Sequence, residues 1–189
     1  MTLRTQRFPV IISLLLLLLI NACTASRKSG SSTTTTSPKP TTPSNTPGKP
    51  MLSPSGINID GLLWYAKKQL GTPYLYGSAD PAKGGLDCSG FLYYVFNHFK
   101  IKVPRTSKDY MSYGKPVSRS EAQKGDVIIF TGSDATVKTG GHVGLILENT
   151  GNDITFIHGS SSKKYGVMIN KLSDAYYNQR FLKIVRVIP

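Results

Sequence analysis

Residues 84–99 read GGLDCSGFLYYVFNHF. From Ser89 onward Phe91, Leu92, Val95, Phe96 and Phe99 recur at the three- and four-residue intervals of one helical face, which predicts an amphipathic helix. Asp87 stands where a side-chain cap belongs, and Gly90 would let another stretch of backbone come close. Cys88 falls just before or inside the first turn. Unsatisfied N–H groups and the helix dipole make that place electropositive, and such surroundings can lower a thiol pKa from about 8.5 to between ~3.5 and 7.5. Two readings compete: a small buried hydrophobe or a reactive thiol. The only other cysteine, Cys23, lies far back in a different kind of sequence.

Outward from this helix the chain has the pattern of one domain, 56–189, with enough apolar residues for a core. Ile57 to Leu70 predicts an earlier helix with Leu62, Leu63, Ala66 and Leu70 inward, ended by Gly71. Gly71 to Gly85, rich in Gly, Pro and Tyr, reads as irregular. Strands are expected at Val127–Phe130, His142–Glu148, Ile154–His158, Tyr165–Ile169 and Phe181–Val187. Helices first and strands later point to an α+β fold with an antiparallel sheet of about five strands.

A nucleophilic cysteine needs a base, usually a histidine oriented by a third polar group. The chain has three histidines. His98 lies near the far end of the same helix, roughly 15 Å away at 1.5 Å per residue, too far for proton transfer and well placed against the dipole. His142 and His158 flank HVGLILENTGNDITFIH, which reads as a hairpin turning at Asn149–Asp153. If the turn centres on Thr150, the two histidines are directly opposed, with Cβ atoms roughly 5 Å apart on one face. A slip of one residue would separate them. A metal held by Cys88, His142 and His158 is the other reading, although it lacks the short paired spacings of zinc sites and a fourth ligand.

The N-terminal part bears on compartment. Arg4 and Arg7 precede the apolar run Val10–Ile20, shorter than the ~20 residues of a membrane span, as in an export signal. Ile20-Asn21-Ala22-Cys23 resembles a bacterial lipoprotein processing site. The expectation is a signal peptide over 1–22, acylation of Cys23, and a Ser/Thr/Pro-rich tether to residue 55 that cannot recover the entropy of ordering. A lipid anchor in the cell envelope follows, at the outer membrane facing the periplasm in a Gram-negative host. An unpaired Cys88 in an exported chain favours the reactive thiol. Six of the 23 basic residues and none of the 10 acidic ones precede Ser55, leaving the domain at 17 − 10 = +7. That surplus suits an anionic polymer or surface, while export and the lack of a basic helix argue against nucleic acid.

These residues resemble the NlpC / p-sixty superfamily of bacterial cell-wall cysteine peptidases. The matching runs, in order, are Gly71-Thr72-Pro73-Tyr74 with Tyr76-Gly77, Asp87-Cys88-Ser89-Gly90-Phe91, Val103-Pro104-Arg105-Thr106-Ser107, Lys124-Gly125-Asp126-Val127, Gly141-His142-Val143-Gly144 and Phe156-Ile157-His158. The resemblance implies a papain-like fold with the Cys88 helix packed on the sheet that bears the histidines. It implies Cys88 as nucleophile, His142 as general base, His158 as its orienting partner and the Tyr74 hydroxyl as an oxyanion donor, with Tyr76 as second choice. Asp87, Ser89 and Ser107 would line the substrate groove, and Arg105 could meet a substrate carboxylate. The activity implied is a monomeric, cofactor-free endopeptidase acting on peptidoglycan stem peptides, at the D-γ-glutamyl to diamino acid bond. A cross-link-cutting endopeptidase, an amidase with the same machinery and a non-catalytic wall-binding lipoprotein are the alternatives. The chain departs from the family at Ser78, where a second glycine is usual, and in the insert 133–139. No separate wall-binding module precedes the domain, so intact peptidoglycan is the expected substrate.

Overall fold

The computed structural model describes residues 51–162 and 166–188. The expected signal segment 1–22, the expected acylation site Cys23 and the expected tether up to residue 50 lie outside the described residues. Residues 51–53, within the stretch expected as tether, make backbone contacts with the start of the domain. The Ile59 N–H donates to the Met51 carbonyl at 2.9 Å, the Met51 N–H donates to Asp60 at 2.9 Å, and Leu52 bridges Asn58. Backbone pairing captures these residues, and composition gives no sign of it.

Helix α1 spans Ile59–Lys67, with the Asn58 side chain accepting from the Gly61 N–H. Leu62, Leu63 and Ala66 are buried, whereas Leu70 is exposed because the helix stops at Lys67. Strands β1 (Ala79–Asp80) and β2 (Gly85–Leu86) form a small hairpin that leads into α2, Cys88–His98. Then follow β3 (Lys115–Val117), β4 (Val127–Phe130), β5 (His142–Asn149), β6 (Ile154–Gly159), β7 (Val167–Lys171), α3 (Ala175–Arg180) and β8 (Phe181–Arg186). The main sheet runs β3-β8-β4-β5-β6-β7 and every pair is antiparallel. It has six strands rather than about five. The addition is the edge strand Lys115-Pro116-Val117, short, mostly exposed and carrying a proline that only an edge tolerates.

Two cores flank the sheet. Leu62, Phe91 and Val95 from α1 and α2 pack with Val127, Ile129, Val143, Leu145 and Ile157 on one face. On the other, Ile128, Phe130, Ile146, Phe156 and Ile184 meet Leu172, just past β7, and Tyr177 of α3. Val127–Phe130 is buried on both faces, which explains its unbroken apolar run. A helix over 175–180 is not expected from the sequence, because six residues hold too little periodicity. Bidentate Arg186–Asp126 hydrogen bonds, both 2.9 Å, tie β8 to the turn before β4.

The β5–β6 register corrects the direct opposition of the histidines. Near the turn Asn149 pairs Ile154 and Glu148 pairs Thr155; beyond it Ile146 pairs Phe156 and Leu145 pairs Ile157. Leu147 is the extra residue of a β-bulge. Continued without it, the turn's register would set His158 opposite Leu145, on the face away from His142. The bulge sets it opposite Gly144, on the face of His142. The two imidazoles therefore share a face diagonally, two residues out of direct opposition.

Candidate active site

The first turn of α2 is held by its neighbours. The Asp87 carboxylate accepts from the Gly90 N–H at 2.6 Å and so caps the helix. A Cβ on Gly90 would collide with the Ser78 carbonyl, and one on Gly159 would stand 3.3 Å from the Cys88 Cα. The β1–β2 hairpin and the end of β6 thus press on the nucleophile's turn. Cys88 is buried. The lowering that a helix start can bring is outweighed: burial pushes the thiol up to about 11 and the Asp87 carboxylate adds to this, against backbone hydrogen bonds from Val143, Ser89 and its own residue. Desolvation disfavours the charged form more than the helix start favours it. The resting group is a neutral thiol.

His142 begins β5 and His158 lies near the end of β6. His142 Nε2 and His158 Nδ1 are 2.8 Å apart, with the rings nearly perpendicular. His158 is fully buried; its Nε2 lies 3.0 Å from the Asn170 Oδ1 and 3.2 Å from the Tyr177 hydroxyl. Burial, and then the neighbouring His158, hold the His142 pKa well below the usual imidazole range. Burial takes His158 down to about 4 against the opposing effect of its hydrogen bond to Asn170. Both rings are neutral at pH 7. Because His142 spends Nε2 on His158, its Nδ1 is the nitrogen left for a thiol proton.

Cys88, Tyr74, His142 and His158 border one cavity of about 120 Å³, closed by Tyr176, Tyr177 and Arg180 of α3 and by the 131–133 loop. Cys88 and Tyr74 also border a second, more open cavity of about 430 Å³ with Tyr76, Ser89, Arg105 and Ser107. The thiol stands where the two meet. Among the described residues no hydrogen bond links it to an imidazole, in keeping with catalytic contacts that tighten only when substrate is bound. Burial pushes the half-buried Tyr74 hydroxyl up to about 12, and the Cys88 thiol adds to this, so it remains a donor. Tyr76 is 88% exposed at the mouth of the open cavity.

Arg105 is already engaged. It makes hydrogen bonds to Asp87 at 3.0 and 2.8 Å and to Ser89 at 3.1 Å, so a substrate carboxylate would have to compete with Asp87 for it. The Ser107 hydroxyl donates to the Gly140 carbonyl at 3.4 Å. His98, at the end of α2, stacks on Tyr65 at 3.8 Å, away from the site. A metal shared by Cys88, His142 and His158 is disfavoured by the bond between the facing nitrogens of the histidines. Among the described residues no group of three His, Cys, Asp or Glu side chains is disposed around a common point. Sequence reasoning missed Asn170, Tyr177 and Arg180. They come from β7 and α3, and the only local hint was Asp174, set as a helix cap is set.

A cysteine at a helix start shares a cavity with a histidine pair on an antiparallel sheet. The model of the NlpC/P60 family matches residues 71–186. The chain belongs to that family. It is 36% identical over 143 residues to the probable endopeptidase NlpC of Escherichia coli K12, covering 75% of this chain and 86% of that protein. It is 34% identical over 119 residues to the E. coli K12 murein DD-endopeptidase MepS/murein LD-carboxypeptidase, covering 62% of this chain and 57% of that one. The chain thus spans little more than half the length of the latter. Among solved structures, an NlpC/P60 family protein from Bacillus cereus superposes with a TM-score of 0.61 at 27% identity, over 69% of this chain and 40% of that one. The NlpC/P60 fold accounts for the α+β architecture found here.

Proposed function

We propose that this NlpC/P60 domain is a cysteine endopeptidase that hydrolyses amide bonds in peptidoglycan stem peptides. The observation that carries the proposal is the cavity shared by the Cys88 thiol and the hydrogen-bonded His142–His158 pair. Both thiol and imidazole are neutral at rest, so His142 Nδ1 takes the thiol proton as the sulfur attacks the amide carbonyl. The Cys88 backbone N–H and the Tyr74 hydroxyl donate to the oxyanion. His142 then protonates the leaving amine, the C–N bond breaks, and a thioester remains. Water, deprotonated by His142, attacks the thioester and releases the acid, and the thiol recovers its proton. Asp87, Ser89, Ser107 and Arg105 line the groove that holds the polar stem.

The bond assigned is the D-γ-glutamyl to diamino acid amide. Cleavage of the cross-link is the second reading, favoured by the 34% identity to a murein DD-endopeptidase. A lipid anchor at Cys23 at the envelope membrane, with the domain acting as a monomer, completes the proposal. Replacing Cys23 by Ala should then move the chain out of the membrane fraction.

The test is incubation of the chain and of Cys88→Ala with purified peptidoglycan, with released fragments read by mass. Thiol-dependent fragments are expected, and their masses separate the two bonds. Equal release by the two proteins would overturn the mechanism. Binding without release in both would make this a wall-binding protein.

A further inference from the structure

Past His158 the polar chain continues to the surface. His158 Nε2 faces the Asn170 Oδ1 at 3.0 Å, and the Asn170 Nδ2 faces the Asp174 carboxylate at 3.0 Å. The same carboxylate oxygen accepts from the Lys171 N–H at 3.2 Å, which fixes its place between β7 and α3. None of these contacts is needed to build the sheet, and neither Asn170 nor Asp174 borders the two cavities around Cys88.

An ionised carboxylate accepts hydrogen bonds and donates none. Opposite Asp174, the Asn170 amide must therefore present its NH₂, and the flipped amide would set two oxygens against each other. With the NH₂ so committed, Oδ1 is what His158 meets, and an amide oxygen can only accept. His158 Nε2 then carries the proton and His158 Nδ1 is bare. A bare Nδ1 accepts from His142 Nε2, so that nitrogen carries the proton of His142. The proton-free nitrogen of His142 is then Nδ1, the form a base must have to take a proton from sulfur. The Tyr177 hydroxyl cannot make this choice alone, because an O–H either donates or accepts.

We propose that Asp174, acting through Asn170, is a positioning device that sets the tautomers of His158 and His142 and thereby leaves His142 Nδ1 free as the base. Its effect on rate rests on the hydrolase reading given above; its effect on the tautomers does not. Two residues outside the cavities thus decide which nitrogen of His142 carries the proton.

The chain holds only three histidines, so ring-¹⁵N-labelled full-length protein gives three pairs of nitrogen signals, with His98 as internal control. Long-range ¹H–¹⁵N correlation should find the proton on Nε2 of both His142 and His158 in the native chain. In Asn170→Ala, His158 should populate the Nδ1–H form and His142 should follow it. In Asp174→Asn the amide at 170 is free to flip, and a mixture is expected. On peptidoglycan fragments kcat should fall about 10- to 100-fold in Asn170→Ala, a partial loss of the ~10²–10⁴-fold that general acid–base catalysis contributes, and less in Asp174→Asn, with KM little changed. The exchange Asn170→Asp with Asp174→Asn restores an acceptor beside His158 and a donor behind it, and should recover both tautomers and rate. A proton on His158 Nδ1 in the native chain overturns the proposal. So does a fall in kcat with unchanged tautomers, or a double variant that recovers neither. Native tautomers as assigned, in a chain that releases no fragments, would refute the hydrolase reading and leave this inference standing.

Discussion

Cys88 and His142 border the same cavity, but the chain brings them there by different routes. The cysteine is placed by several independent contacts: Asp87 caps its turn, Gly90 admits the Ser78 carbonyl, and the apolar face of α2 fixes the helix on the sheet. The histidine pair depends on strand pairing across 16 residues and on one bulged residue, Leu147. Moving Cys88 would require undoing all of these contacts. Separating the histidines would require only the loss of the bulge, since a shift of one residue turns every side chain to the other face. The nucleophile is secured by redundancy and the base by parity.

Gly144 offers a way to break the second route without touching the first. It is the residue opposite His158 in the bulged register. A Cβ there would stand 2.7 Å from a Phe156 ring carbon and 3.3 Å from the His158 Cβ. Gly144→Ala should therefore displace Phe156 and His158, with an overpacking cost of about 1–3 kcal/mol. Denaturant unfolding should report the loss of stability, and fragment release should fall with it. Alkylation of Cys88 should proceed as before. Full hydrolytic activity in Gly144→Ala would show that the histidine pair tolerates more latitude than its packing implies.

Acid and alkali probe the two routes separately. His142 and His158 have pKa values below the ordinary 6.5, His158 at about 4. Between these values the unfolded chain binds protons that the folded chain refuses, so stability falls as pH drops below about 6.5. Cys88 is shifted the other way, from 9.0 to about 11. The unfolded thiol loses its proton first, so stability also falls as pH rises from about 9 towards 11. Melting temperatures should be highest between about pH 6.5 and 9, with the acid limb belonging to the histidine pair and the alkaline limb opened by Cys88 and joined above about pH 10 by tyrosines that burial also raises, Tyr74 and Tyr177 among them. The acid limb of kcat/KM should lie below the ordinary histidine range. A melting temperature at pH 5 equal to that at pH 7.5 would show that the pair is not held neutral.

How much of this the sequence disclosed follows the same division. The helix from Cys88, its Asp87 cap, the strand Val127–Phe130 and the hairpin turn were all readable, because each is encoded within a few adjacent residues. The bulge at Leu147 was not: an apolar residue in an apolar strand carries no mark of being unpaired. The histidines share a face as expected, although the expected direct opposition is two residues off. Asn170 and Tyr177 reach His158 from β7 and α3, elements whose positions follow only from the assembled sheet. The upward direction of the thiol shift is not legible in the sequence for a related reason. A helix start is a local feature, whereas burial depends on everything packed around it.

The smallest expected effect is the most discriminating for the helix start. Asp87 does two things there: it caps α2 through the Gly90 N–H, and its charge raises the Cys88 pKa while pairing with Arg105. Asn caps a helix about as well as Asp, so Asp87→Asn should keep the turn and remove the charge. Arg105 is about a third exposed, and loss of its pairing with Asp87 should cost about 1 kcal/mol or less after solvent screening. With the carboxylate gone and Arg105 unpaired beside it, the thiol pKa should fall. Alkylation of Cys88 at pH 8 should then quicken, by up to about tenfold for each pKa unit. An unchanged alkylation rate would mean that burial alone holds the thiol neutral. A slower one, with α2 still folded, would mean that Asp87 orders the backbone N–H groups around the sulfur, and that its charge matters less than its place.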